Sequence, residues 1–246
     1  MFQLTLIGVS VALLAIAANA PPEYIKQCRK SDPQIIECYK QSLQHLSPYL
    51  AKGIPSIEMP SVEPFIMDTL DLQLTDGPQG YKISMKNIEV FGASNYQVKS
   101  IKLSENDKPF EATIIIPKLS IETKYTSSGV LLIIPASGGG DLHGVFQGVT
   151  AHLLGKVSTK VKNGKTYLHV DHLNLDLDFK SVKLSISNVL HNNQVLTDAS
   201  NLFLRENGLE VAQTMRPQLQ KRLSSVFGRI ANQLLKYVAV EDFLID

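Results

Sequence analysis

Between residues 68 and 190 apolar side chains recur at every second position, with polar residues between them. The clearest stretch is 173–180, where three Leu and one Phe alternate with Asn, Asp, Asp and Lys. A period of two is typical of strands that have one dry face and one wet face. With Asn163-Gly164 as a hairpin turn, the pattern predicts roughly eight or nine antiparallel strands joined by short turns.

The C-terminal segment changes to helical periodicity. From Met215 to Val238 apolar residues step by three or four positions. Asn207, which has a glutamate three residues later, resembles a capping box, so a helix is predicted over 208–238, about 30 residues or roughly 45 Å long. Pro217 lies inside this range, so we expect a kink there, or a fresh helix start. The apolar stripe of this helix would cover the dry face of the sheet.

A shorter helix is predicted near the N-terminus. Asp32-Pro33 suits an N-cap followed by proline in the first turn. Apolar residues follow at helical spacing from Ile35 to Leu50. Gly53 and Pro55 then predict the end of the helix.

The chain has two cysteines, Cys28 and Cys38. In an oxidising compartment such a pair predicts one structural disulfide. A redox or metal pair is the alternative, but the spacing is not that of a C-x-x-C motif.

Residues 1–20 carry no charge, are apolar from Leu4 to Ala18, and end in Ala18-Asn19-Ala20. These features predict a signal peptide cleaved after Ala20. A signal anchor is the alternative, but Pro21-Pro22 follow at once and no basic cluster does. We therefore expect a secreted, extracellular protein with a single domain over 21–246.

Charge and motifs argue against several functions. The net charge of +1, from 24 basic and 23 acidic residues, disfavours nucleic acid as a partner. Ser137 lacks the first glycine of a nucleophile elbow, and Gly138-Gly139-Gly140 is no phosphate-binding loop, so a bend or bulge is expected there. In His169-Val170-Asp171-His172 the first His and the Asp share a strand face while His172 points elsewhere. We expect no catalysis, no metal and no cofactor.

Six short segments distributed along the mature chain together resemble the insect takeout and haemolymph juvenile-hormone-binding-protein family. In order they are Cys28…Cys38, Gly53-Ile54-Pro55, Asn87-Ile88-Glu89-Val90-Phe91-Gly92, Gly138-Gly139-Gly140, Asn188-Val189-Leu190 and Val240-Glu241-Asp242-Phe243. The resemblance implies an α+β fold in which a strongly curved antiparallel sheet wraps a long C-terminal helix, a super-roll like that of TULIP proteins, around an apolar tunnel. The family often has an Asn-Glu-Asn-Trp-like run at the start of the last helix, whereas this chain has Arg205-Glu206-Asn207-Gly208 and no aromatic residue there.

The resemblance also implies a function. Family members are secreted and bind hydrophobic ligands such as juvenile hormone, other terpenoids or fatty acyl chains. The juvenile-hormone carriers proper have a second disulfide, whose cysteines this chain lacks, so it resembles the takeout branch, which is linked to circadian, feeding and chemosensory output. We expect a monomer that binds a small hydrophobic ligand, while no sequence feature identifies a receptor.

The expected tunnel lining consists of the apolar residues on the dry faces of sheet and helix. They are Leu72, Leu74, Ile83, Met85, Ile114, Ile116, Leu132, Ile134, Val145, Val149, Leu173, Leu175, Leu177, Leu184, Ile186, Met215, Leu219, Leu223, Phe227, Ile230 and Leu234. Two alternatives stay open: a solid core without a cavity, and a lipid-transfer module whose helix inserts at a membrane surface. The polar face of the helix mixes Gln and Ser with its basic residues and the chain has no Trp, so membrane contact is not favoured.

Overall fold

The computed structural model describes residues 21–73, 80–104, 108–131, 134–135, 137–187 and 194–246. Within these residues a curled seven-stranded antiparallel sheet packs against one long C-terminal helix. This architecture confirms the predicted α+β fold. The predicted signal peptide, the turn at 76–78 and the segment 188–190 lie outside the described residues.

The two longest strands form the middle of the sheet. The seven strands are β2 (Phe65–Gln73), β3 (Lys82–Phe91), β4 (Gln97–Lys102), β5 (Phe110–Ser128), β8 (Gly138–Lys162), β9 (Lys165–Asp178) and β10 (Ser181–Ser187). On its outer side β8 pairs first with β10 and then with β9, while β5 pairs with β3 and β4. Because β2 adds to β3, the sheet has β9 and β10 along one edge and β2 along the opposite edge.

Two further strand pairs are short. β6 (Val130–Leu131) pairs with β7 (Ile134–Pro135), and β1 (Cys28–Arg29) pairs in parallel with β11 (Leu244–Ile245). The second pair ties the N-terminal segment to the C-terminus, and Lys30 adds an ion pair to Asp246 at 2.8 Å.

The triple glycine lies in the first extended residues of β8, so the bend or bulge expected there is wrong. It pairs without a register shift with residues 125–127 of β5. A Cβ atom added to Gly139 would lie 3.0 Å from the Tyr125 carbonyl oxygen. The glycine therefore permits a close approach between strands.

The C-terminal helix α3 (Gln194–Leu235) has 42 residues and is longer than predicted. The Asn207 side chain donates to the Phe203 carbonyl at 2.9 Å, so it lies within the helix and does not cap it. The helix also continues through Pro217, without the fresh start that we considered. Gly208 is buried against the Val182 carbonyl of β10.

The N-terminal region forms two helices where one was predicted, α1 (Ile35–His45) and α2 (Ser47–Lys52). The break at Leu46 precedes Pro48, which has no N–H to continue the first helix. Asp32 accepts a hydrogen bond from the Gln34 N–H at 2.8 Å, just before α1. Cys28 and Cys38 form the predicted disulfide, with 5.9 Å between their Cα atoms. The remaining helix, α4 (Val240–Phe243), leads into β11.

Three partly buried hydrogen bonds fix the turn after β3. The Glu63 carboxylate accepts hydrogen bonds from the Gly92 N–H and from the N–H and hydroxyl of Ser94, the latter at 3.0 Å. Gly92 has φ +88°, and a Cβ there would lie 2.4 Å from the Lys118 carbonyl oxygen. Only glycine fits this part of the segment that resembles the family.

Candidate functional site

The apolar interior consists of two separate buried cores. The first lies between the sheet and the N-terminal two-thirds of α3, and it includes Leu204, Val211 and Ala212. The second lies at the other end of the molecule, where α1, α2 and the chain around residues 54–59 meet the end of α3. Its buried members are Tyr24, Leu46, Ile54, Ile57, Met59 and Val238.

The apolar stripe of α3 continues between these two cores. Leu223 packs against the first core and Ile230 against the second. Phe227 lies between them on the same stripe, is 37 % exposed and, within the described residues, belongs to neither core. Leu173 of β9 also lies outside both cores. Phe227 is therefore an exposed apolar position on the stripe between the two cores.

Most of the expected lining residues lie on the inner face, but they differ in burial. Seven are fully buried in the first core: Leu72, Ile83, Met85, Val149, Leu175, Leu177 and Leu184. Eight are partly buried against one of the cores: Ile114, Ile116, Ile186, Met215, Leu219, Leu223, Ile230 and Leu234. Leu173 and Phe227 lie between the cores. Leu74, Leu132 and the side chain of Ile134 are outside the described part of the structure.

Val145 was expected in the tunnel lining, but the structure places it on the other face of the sheet. It pairs with Ser120 of β5 and Lys183 of β10, whereas its neighbours Gly144 and Phe146 pair with inward-facing residues. Val145 therefore lies on the outer face. The expectation failed because Gly148, at φ +59°, interrupts the alternation between the two predicted positions 145 and 149.

Polar side chains attach α3 to the edge formed by β9 and β10. Asn201 bonds both backbone groups of Ile186, at 2.8 Å to the N–H and 2.9 Å to the carbonyl. Asn232 does the same for Val170, again at 2.8 and 2.9 Å. The Ser224 hydroxyl accepts from the Leu175 N–H at 3.1 Å. These hydrogen bonds satisfy backbone N–H and C=O groups on the edge of the sheet, which would otherwise be free to pair with a further strand.

The opposite side of α3, facing β2, is more loosely packed. A partly open cavity of about 550 Å³ lies there. Its lining comprises residues 71–73, 82–84 and 126–128 from the ends of β2, β3 and β5, together with Gln218 and Arg222 of the helix. The strand residues belong to both faces of the sheet, so the cavity lies at its rim. Leu72 and Ile83 connect the cavity wall to the first core.

Three hydroxyl groups lie near this end of the interior. Tyr81 hydrogen-bonds to Ser127, and burial raises the pKa of Tyr81. Burial, and then the neighbouring Tyr81, raise the pKa of Tyr125 to about 12. In the part of the chain that the structure describes, the Tyr125 hydroxyl has no hydrogen-bond partner, so it is one polar group available to a bound molecule in this region.

Sequence reasoning missed the polar residues of α3 that face the sheet. Asn201, Asn232, Gln218 and Arg222 look like ordinary solvated positions of an amphipathic helix. One signal was present: Asn has a poor helix propensity, so the three Asn in the interior of this long helix suggest tertiary contacts, which two of them make.

The residues considered for catalysis or metal binding lie outside the interior. His169 and Asp171 share a strand face as predicted, with 3.0 Å between Nδ1 and Oδ1. The Ser158 hydroxyl and then His169 lower the pKa of Asp171. The Ser137 hydroxyl accepts a hydrogen bond from the Gly129 N–H at 3.1 Å. Among the described residues, no three His, Cys, Asp or Glu side chains are grouped to hold a metal ion.

A lipid-transfer module whose helix inserts at a membrane surface was the other open alternative, and it stays a hypothesis. The helices in the described ranges include none that combines the length and apolar character needed to cross a bilayer.

Comparison with known proteins agrees with this architecture. Circadian clock-controlled protein daywake of Drosophila melanogaster is 23 % identical over 235 residues, which cover 92 % of this chain and 89 % of that protein. A Schistocerca gregaria protein named "Putative beta-carotene-binding protein" is 22 % identical over 219 residues, 88 % of this chain and 86 % of its own length. The crystal structure of Epiphyas postvittana Takeout 1 superposes with a TM-score of 0.78 at 18 % identity, covering 89 % of this chain and 99 % of that one.

The family assignment rests on a match along nearly the whole chain. Residues 4–245 fit the sequence model of the family described as Haemolymph juvenile hormone binding protein (JHBP). This span includes the disulfide, the curled sheet and the long helix. The chain therefore belongs to the haemolymph juvenile hormone binding protein family.

Proposed function

We propose that this protein is a secreted carrier, and not an enzyme, that holds one small hydrophobic molecule between α3 and the curled sheet. The observation that carries the proposal is the position of Phe227, an accessible apolar residue between two buried cores. The family description and the name of the Schistocerca relative support the same class of ligand.

The energetics of such a complex are favourable. Burying an acyl or isoprenoid chain contributes about 0.8 kcal/mol per CH₂ group. A chain of about fifteen carbons gives on the order of 12 kcal/mol, against an association cost of at least about 4 kcal/mol. The difference of at most about 8 kcal/mol corresponds to micromolar affinity, which an apolar lining alone can supply. The cavity of about 550 Å³ is within the usual size range of ligand sites.

The proposed ligand is a terpenoid like juvenile hormone, a fatty acid or a similar lipid. The Tyr125 hydroxyl adds a hydrogen-bond donor to the mainly apolar interior, which suits a carbonyl or ether oxygen on such a molecule.

Displacement of a fluorescent fatty-acid probe tests the proposal. Leu223→Trp adds volume beside Phe227 and should weaken probe binding at least about tenfold, which corresponds to roughly 1.4 kcal/mol. Leu202→Trp is the matched control, because Leu202 is on the same helix and points to solvent. The proposal is wrong if the wild-type protein binds no probe, or if both variants bind like the wild type.

Secretion, processing and oligomeric state belong to the same proposal. Expression in insect cells should deliver to the medium a monomer that begins at Pro21, and N-terminal sequencing with light scattering checks both points. A role in circadian, feeding or chemosensory output rests on the resemblance to takeout proteins and on the name of the daywake relative. Measuring transcript levels over a day-night cycle tests the circadian part.

A further inference from the structure

The polar residues on the two sides of α3 differ in their hydrogen-bond partners. On the β9 and β10 side, Asn201, Ser224 and Asn232 are all bonded to strand backbone. On the β2 side, Gln218 and Arg222 line the cavity. Neither of these two has a hydrogen bond or ion pair to any residue that the structure describes. Their donors are thus free to bind a molecule in the cavity.

The spacing of these two residues matches a shared ligand. Four positions apart on a helix, their side chains lie one above the other on the same face. Arg222 offers a planar set of N–H donors that fits both oxygens of a carboxylate, and Gln218 adds an amide N–H.

The rest of the lining is mostly polar, and Leu72 and Ile83 are its two apolar members. Leu72 is 2 % exposed and Ile83 5 %, and both belong to the first core. Of the charged residues in the lining, Arg222 and Lys82 are positive and Asp71 is negative, which leaves one excess positive charge. A rim of this kind favours a molecule with an anionic head and an apolar tail.

We propose that the ligand is a long-chain carboxylate whose head is bound by Arg222 and Gln218, while its tail passes Leu72 and Ile83 into the interior. This inference rests on the proposed carrier function and specifies the chemical class of the ligand. It also places the entrance at the side of α3 that faces β2, because the other side is closed by the hydrogen bonds to β9 and β10.

The test compares dodecanoate with its methyl ester, which has the same tail and no charge. Isothermal titration should show that the wild-type protein prefers the acid by roughly tenfold to a hundredfold, the range expected for hydrogen bonds to a charged group. Arg222→Gln should abolish this preference and leave binding of the ester unchanged. Arg222→Lys should retain part of it, because the charge remains but the planar pair of donors is lost.

Arg229→Gln is the matched control, since Arg229 is an exposed arginine of the same helix outside the cavity lining. It should keep the full preference for the acid. Thermal unfolding of each variant checks that the fold is retained.

The outcomes separate this inference from the carrier function. Equal binding of acid and ester, or equal effects of Arg222→Gln and Arg229→Gln, would overturn the headgroup assignment while the carrier function stands. If the wild-type protein binds neither compound, both are wrong.

Discussion

The side-chain amide of Asn232 bonds both backbone groups of Val170, accepting from its N–H at 2.8 Å and donating to its carbonyl at 2.9 Å. Asn201 repeats the arrangement at Ile186, 31 residues and about 46 Å earlier along the same helix. Each Asn thereby stands in for the backbone of a neighbouring strand. The long helix closes the sheet edge at two distant points.

Removing one of these amides should destabilise the protein. Asn232→Ala leaves the N–H and carbonyl of the buried Val170 without partners, so we expect the free energy of unfolding to fall by about 1–3 kcal/mol. Urea denaturation measures it. Asn207→Ala is the control, because the Asn207 amide bonds only to a carbonyl within the helix, and its effect should stay within about 0.5 kcal/mol. Equal losses in the two variants would refute the proposed role of the Asn232 bridge.

Two glycines in α3 should respond oppositely to the same substitution. Ala is the better helix former by about 1 kcal/mol. At Gly228 an added Cβ meets nothing within 4 Å, so Gly228→Ala should raise the free energy of unfolding by about 0.5–1 kcal/mol. At Gly208 the Cβ would lie 2.8 Å from the Val182 carbonyl oxygen, so Gly208→Ala should lower it. Urea titrations of both variants measure the two changes in the free energy of unfolding. Stabilisation by Gly208→Ala would mean that the helix and β10 are less tightly packed than the structure indicates.

Stability should decline in alkaline solution because buried tyrosines, two of them above all, resist ionisation in the fold. Burial raises the pKa of Tyr96 to about 12, and burial with the nearby Tyr81 raises that of Tyr125 to about 12. The unfolded chain loses these protons near pH 10, so their contribution is complete below pH 10 and is lost as pH rises from 10 through 12. Urea midpoints across this window should fall, and less steeply in Tyr125→Phe. Complete ionisation of all tyrosines near pH 10 in the folded protein, followed by absorbance, would contradict this.

The disulfide should stabilise both chain termini. Cys28 and Cys38 close a short loop, worth about 3 kcal/mol in the chain-entropy model. Because Cys28 also pairs with Leu244, reduction should loosen the C-terminus as well as the N-terminus. We expect a lower Tm under reducing conditions and faster hydrogen exchange at residues 28–30 and 244–246. A Cys28→Ser/Cys38→Ser variant should be insensitive to the reductant; an unchanged wild-type Tm on reduction would exclude a stabilising role.

The sequence pattern was sufficient to predict the sheet, because most strands have one face that is buried and one that is exposed to water. Leu175, Leu177 and Phe179 alternate without interruption and are all buried. The prediction from this alternation failed at Val145, because Gly148, one of several glycines in β8, adopts a positive φ. The pattern does not show which of them does so, because the choice depends on the neighbouring strands.

The helix start and the polar contacts of α3 depend on tertiary structure in a similar way. Asn207-Gly208 favours a helix boundary by local propensity, but a buried contact between Gly208 and Val182 retains both residues within the helix. Asn201 and Asn232 acquire their role from a strand edge that is far away in sequence. Such residues are identified only when the free edges of the sheet are known.

The most direct test of the central claim is native mass spectrometry of the protein secreted by insect cells, before and after extraction with organic solvent. The carrier account predicts one small lipid per chain, lost on extraction and regained when dodecanoate is added. A chain that carries nothing before extraction and binds neither dodecanoate nor its methyl ester afterwards would contradict the account and favour a solid core.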